Sequence, residues 1–180
     1  MKSLGQDSNY LVRYSEAFVY KNRIWIFMEY MDLGCLTGIL HVRKGCIPEK
    51  IISYILRQVL KGLMCLHNRH IVHRDIKSDN VMVSSNGDIK LGDFGYAAQL
   101  TVERLERESR VGTVYWMAPE IITGKKKYNN KVDIWSLGIV ALELANGDPP
   151  YLEADATKAL VYIVSKPSPK LDANKWSEEF

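Results

Sequence analysis

At 180 residues, 47% hydrophobic and 25% charged, the chain is long enough for one ordinary domain with a sizeable core, and its balance is that of a soluble globular protein. A formal net charge of +3 is too slight to argue for nucleic acid or a membrane surface as a partner. Three scattered cysteines without a C-x-x-C spacing, no apolar run near the ~20 residues of a membrane span and no apolar N-terminal core argue against a disulfide framework, a zinc site, a spanning helix and a signal peptide, and they fit a reducing, cytoplasmic setting.

Residues 11–20 are rich in β-branched and aromatic side chains, Lys21, Asn22 and Arg23 turn the chain, and 24–28 form a short apolar run. This pattern predicts an antiparallel hairpin whose second strand is largely buried. Residues 29–34 break the pattern as a connector would. Pro48 then opens a long helix. Ile52, Ile55, Leu56, Val59, Leu63 and Leu66 recur at helical spacing, and residues 68–70 end the element. Short strands are predicted at 71–72, 81–83 and 89–91, with Asn86 and Gly87 as a hairpin turn between the last two.

Residues 99–112 are charged and carry no core periodicity, so they read as a surface segment. The clusters Arg104, Arg107, Arg110 and Lys125, Lys126, Lys127 read as solvated loop charge. Helix restarts at 118–122. Residues 132–144 are apolar nearly all round, which predicts a central buried helix; Asn146 and Gly147 cap it, and Pro149 and Pro150 prevent its return. A further helix at 156–165 is stopped by Pro167 and Pro169. Residues 176–180, with a serine cap and acids in a first turn, look like the start of another helix.

The chemistry concentrates on two neighbouring loops. One carries His73, Arg74, Asp75, Ile76, Lys77, Ser78, Asp79 and Asn80; the other carries Asp93, Phe94 and Gly95. Singly, Asp and Asn are ordinary turn formers. Together, a carboxylate, a nearby lysine and a pair of hard oxygen ligands are what phosphoryl transfer to a hydroxyl requires.

The order of these motifs, followed by Ala118, Pro119 and Glu120, resembles the catalytic loop, magnesium loop and activation segment of eukaryotic protein kinases. Within that family the chain resembles the PAK-like group of the sterile-twenty-like serine/threonine kinases. The runs VGTVYWMAPE at 111–120, KVDIWSLG at 131–138 and GDPPY at 147–151 carry this likeness, which extends from about Leu11 to Phe180. The resemblance implies an α+β, protein-kinase-like fold. Residues 1–31 would be a remnant of the N-lobe with the hinge, and 32–180 most of a helical C-lobe.

It also implies roles. Asp75 would accept or orient the substrate hydroxyl proton, Lys77 would place positive charge on the transferring group, and Asn80 and Asp93 would hold Mg2+. Met28 and Met82 would enclose the adenine of ATP, with the backbone of Glu29, Tyr30 and Met31 bonding it. Arg74 would pair with a phosphate on Ser109, placed there by an upstream activating kinase. Thr113 would position the substrate, as in serine/threonine kinases, and Asp79 and Glu143 would read basic residues around the phosphosite of protein substrates. His73, Phe94 and Asp133 would support the two loops. Val114 departs from the proline of the PAK-like group, and Cys35 and Gly38 stand where relatives often have polar groups. No G-x-G-x-x-G, strand lysine or helix glutamate accompanies these motifs. The expectation is therefore a kinase domain incomplete at both ends, with little or no turnover by residues 1–180 alone. The alternative is a catalytically inactive, truncated kinase-like protein that acts as a binding module.

Overall fold

The computed structural model describes residues 8–43, 47–100, 112–124 and 128–180. Cys46, Ser109 and both basic clusters lie outside the described residues. Among those described, five α-helices and three two-stranded antiparallel sheets make up the fold. No helix among them is long and apolar enough to cross a membrane.

Strands β1 (Tyr14–Tyr20) and β2 (Arg23–Met28) form the predicted hairpin, with Phe18 opposite Trp25 and Val19 opposite Ile24. Lys21 and Asn22 both take positive φ, 49° and 57°, which is the backbone of a two-residue turn matched to strand twist. The expected burial of the second strand is wrong. Every residue of β2 is exposed, Ile24 to 74%. An apolar run reports the preference for a strand; it does not report what covers it. The expected first strand is also divided. Leu11 and Val12 leave the hairpin and lie against Leu91, with Val12 N–H donating to Leu91 O at 2.9 Å and Leu91 N–H to Tyr10 O at 2.9 Å. That segment crosses close over the long helix, where a Cβ on Gly62 would stand 3.0 Å from Tyr10 O.

The core sits around that helix, α2 (Glu49–His67), and its buried stripe of Ile52, Ile55, Val59, Leu63 and Leu66 is the predicted one. Pro48 precedes the first turn with extended backbone. Ahead of it lies α1 (Leu36–Arg43), an unpredicted helix. Leu36 and Leu40 tie it to the core, but a two-residue stripe around Gly38 carries too little periodicity to be seen.

Strand β3 (Ile71–Val72) pairs with a strand the sequence did not indicate, β6 (Ala98–Gln99), while β4 (Val81–Val83) and β5 (Ile89–Leu91) pair through the Gly87 turn. Helix α3 (Pro119–Thr123) follows, then α4 (Lys131–Asn146), which packs against α2 and is buried along most of its length. Gly147, at φ 95°, ends α4 by donating to Glu143 O at 2.8 Å. Asp155 caps α5 (Ala156–Ser165) by accepting from the Lys158 N–H at 2.9 Å. Residues 176–180 form turns, not a helix. Ser177 instead donates through its N–H and hydroxyl to Glu49 at 3.1 and 2.5 Å.

Candidate active site

Between β3 and β4 the chain makes a loop that closes in a 3-10 turn at Ser78–Asn80. Asp133 of α4 fixes this loop from behind. It is fully buried, its Oδ2 accepts from the His73 N–H at 2.9 Å, and its Oδ1 accepts from the Arg74 N–H at 2.8 Å. His67 at the end of α2 places Nε2 2.7 Å from the same Oδ2. Arg74 is held at φ 70°, a conformation that costs an L-residue energy and persists only when its surroundings impose it. The two backbone bonds to Asp133 do so.

His73 joins this loop to the next. Its Nδ1 accepts from the Asp75 N–H at 3.3 Å, so Nε2 carries the proton and donates to Gly92 O at 3.0 Å. Burial pushes the imidazole pKa down, which favours that neutral form. Phe94 packs edge-on to the ring at 5.5 Å.

The side chain of Asp75 is the centre of a cluster. Its Oδ1 accepts from the Thr113 N–H at 3.0 Å and the Thr113 hydroxyl at 2.7 Å. Its Oδ2 accepts from Asn80 Nδ2 at 3.0 Å and lies 3.5 Å from Lys77 Nζ. Lys77 Nζ donates to Thr113 Oγ1 at 2.9 Å, and Asn80 Nδ2 also donates to Asp75 O at 2.7 Å. Four residues named from the sequence thus meet in one hydrogen-bonded unit. Gly112, at φ 124°, lets the chain reach it; a Cβ there would stand 2.7 Å from Arg74 O. Asp93 lies on the adjoining loop, exposed and at φ 51°, its Oδ1 accepting from Gly95 N–H at 3.1 Å. The Gly92 N–H, donating to Asn80 O at 2.8 Å, connects the two.

The connector after β2 runs beside β4. Leu33 N–H donates to Val83 O at 3.2 Å and Val83 N–H to Gly34 O at 2.9 Å, while Cys35 bridges Met82. Met31 is buried, Met82 half-buried, and Met28 and Tyr30 exposed. Glu29 turns its carboxylate to Lys90 Nζ at 2.5 Å and to Arg13 N–H at 3.2 Å. Partial burial pushes its pKa up, but the bonds from Lys90 and Arg13 outweigh that and leave it below the ordinary value.

Residues 1–178 match the protein kinase domain. The chain belongs to the protein kinase family. Among the relatives of this kinase domain is serine/threonine-protein kinase pakA of Dictyostelium discoideum, 48% identical over 179 residues; the match covers 97% of this chain and 15% of pakA. Serine/threonine-protein kinase pakC of the same organism is 45% identical, over 100% of this chain and 38% of its own length. Serine/threonine-protein kinase STE20 of Kluyveromyces lactis is 45% identical, over 93% of this chain and 17% of its own length. The kinase domain described here thus spans well under half of these relatives.

Two further expected positions differ in setting. Asp79 is exposed. Glu143, only 3% exposed, accepts from Ser78 Oγ and, at 2.9 Å, from Trp116 Nε1. Burial pushes its pKa up. Glu143 therefore joins the Ser78–Asn80 turn to the segment carrying Thr113. The partners of Ser78 and Trp116, and any role for Lys90, escaped the sequence reading. The available signal was a charge inside an apolar run, Glu143 in α4 and Lys90 in β5, because a buried charge demands a partner. Arg74 directs Nε to Tyr96 O at 2.6 Å and Nη1 to the Tyr128 hydroxyl at 3.3 Å.

Proposed function

We propose that the protein transfers the terminal phosphoryl group of ATP to serine or threonine hydroxyls of protein substrates. The supporting observation is the Asp75 cluster. Its carboxylate is fixed by Thr113 and Asn80 with the Lys77 ammonium alongside. Asp75 accepts or orients the substrate hydroxyl proton, Lys77 offsets charge on the transferring group, and Thr113 holds both in register.

The donor set suits Mg2+. Asn80 uses its amide nitrogen on Asp75, which leaves its oxygen for a cation, and Asp93 offers a carboxylate on an exposed turn. When bound, the ion supplies neutralisation of the phosphate oxygens. Adenine would lie against Met28 and Met82, bonded by the backbone of Glu29, Tyr30 and Met31. Asp79 favours substrates with basic residues near the phosphosite, and an upstream kinase would act on Ser109 to engage Arg74. The setting is cytoplasmic.

Magnesium-dependent transfer of phosphate from ATP to a protein substrate, measured on the full-length protein, tests this reading. Loss of transfer in both Asp75→Asn and Asp93→Ala is expected. Transfer that survives both substitutions overturns it, and nucleotide binding without transfer by the unsubstituted protein favours the binding-module reading.

A further inference from the structure

Lys90 lies in the middle of β5, only 7% exposed, and bonds no member of the Asp75 cluster. A buried ammonium persists only where a partner holds it. Its partner is Glu29, whose Oε1 stands 2.5 Å from Lys90 Nζ. Glu29 directly follows β2 and begins the connector that runs beside β4. We propose that Lys90 is a positioning residue for the nucleotide base: by holding Glu29 it aims the Glu29 carbonyl at the 6-amino group of adenine, and so sets the preference for a purine that carries that group. The proposal rests on the ATP reading above and deepens it.

Three relationships support this assignment. First, the polar groups of Glu29 are committed, save one. Its N–H donates to Arg13 O at 2.8 Å, its Oε2 accepts from Arg13 N–H at 3.2 Å and its Oε1 takes Lys90. No described group donates to its carbonyl oxygen, which leaves that acceptor for a ligand. Second, Lys90 is the cross-strand partner of Met82, the residue read as enclosing adenine, and paired residues of an antiparallel ladder share a face. The clasp therefore lies beside the base. Third, the far end of the connector is fixed separately and by main chain alone, with Leu33 N–H on Val83 O at 3.2 Å and Val83 N–H on Gly34 O at 2.9 Å. The near end depends on the Glu29 side chain. The Arg13 guanidinium, 3.6 Å from Oε1 on a side chain that is 62% exposed, is too screened to replace Lys90. With Nζ committed to Glu29, Lys90 acts through the connector and not on the nucleotide itself.

The test compares equilibrium binding of ATP with that of purine riboside triphosphate, which lacks only the 6-amino group, to the full-length protein by titration calorimetry with Mg2+ present. The unsubstituted protein is expected to bind ATP about tenfold more tightly, the worth of one positioned hydrogen bond. In Lys90→Met most of that advantage is expected to disappear, with the affinity for purine riboside triphosphate unaltered. Lys90→Arg, which keeps a charged donor, should restore it. A merely structural role for Lys90 would weaken both nucleotides equally. That result, or an advantage that survives intact in Lys90→Met, overturns the proposal.

If Lys90→Met does not fold, Glu29→Gln decides, because an amide cannot accept from Lys90 and from the Arg13 N–H at once. A smaller advantage for ATP in that variant supports the clasp, and an unchanged one overturns it. If the unsubstituted protein binds neither nucleotide, the ATP reading fails and the proposal falls with it. If it binds both equally, the ATP reading stands and the proposal alone is overturned.

Discussion

Glu143 and Trp116 are joined by an indole N–H to carboxylate bond of 2.9 Å, closed off from solvent between α4 and the segment that carries Thr113. The other carboxylate oxygen takes the Ser78 hydroxyl, so one acid holds both sides of the Asp75 cluster. Glu143→Ala leaves the buried Trp116 indole N–H without its acceptor and leaves Ser78 Oγ with Thr37 Oγ1, 2.7 Å away, as its remaining partner. A loss of about 3 kcal/mol of folding stability is expected, measured by denaturant unfolding.

The same residue sets a pH dependence. Burial raises the Glu143 pKa above the ordinary 4.5. The folded state therefore binds a proton more tightly there than the unfolded chain. Its contribution to stability is full below the ordinary value and is lost as pH rises through the raised one. Comparing Tm over that interval, Glu143→Gln should show a flatter dependence than the unsubstituted protein.

Asp133 offers a contrast, because its ligands are main-chain groups. Removing its carboxylate in Asp133→Ala strands the N–H groups of His73 and Arg74 and frees Arg74 from its left-handed conformation. About 3 kcal/mol of destabilisation is expected. Phosphate transfer should fall further than unfolding explains, because Asp75 is the next residue. Activity measured well below Tm separates the two effects.

Thr113 can be tested without disturbing packing. Thr113→Val keeps the shape and removes a hydroxyl that donates to Asp75 and accepts from Lys77. A fall in kcat of about 100-fold is expected with little change in Tm. Thr113→Ser should restore most of the rate.

The β1–β2 hairpin predicts behaviour in solution. Phe18, Val19, Ile24, Trp25, Ile26 and Phe27 are all exposed on a pair of strands whose outer edges no other described strand joins. Residues 1–180 expressed alone should bind a hydrophobic dye and associate as concentration rises. Ile24→Lys and Ile26→Lys should reduce both effects without lowering Tm, as read by light scattering and thermal unfolding.

Legibility in the sequence followed the range of the interaction. The α2 stripe could be read because Ile52, Ile55, Val59, Leu63 and Leu66 repeat at the helix's own period. The β4–β5 hairpin could be read because Asn86 and Gly87 are local turn chemistry. The Asp75 cluster was legible by residue type and order, although Thr113 comes 38 residues after the carboxylate it bonds. What stayed hidden depends on distant approach. The exposure of β2 depends on what packs over it, which among the described residues is nothing, and the Glu143 contacts bring together Ser78 and Trp116 from separate loops. Helix α1 was hidden for a different reason: eight residues with two core contacts give almost no periodic signal.

The proton on His73 Nε2 has a mechanical consequence. Because that ring accepts from Asp75 N–H on one side and donates to Gly92 O on the other, it works as a strut between two loops. Asp93, the residue after Gly92, cannot swing far outward without pulling on the main chain at Asp75. Displacement of the Asp93 turn and displacement of the main chain at Asp75 are then one motion.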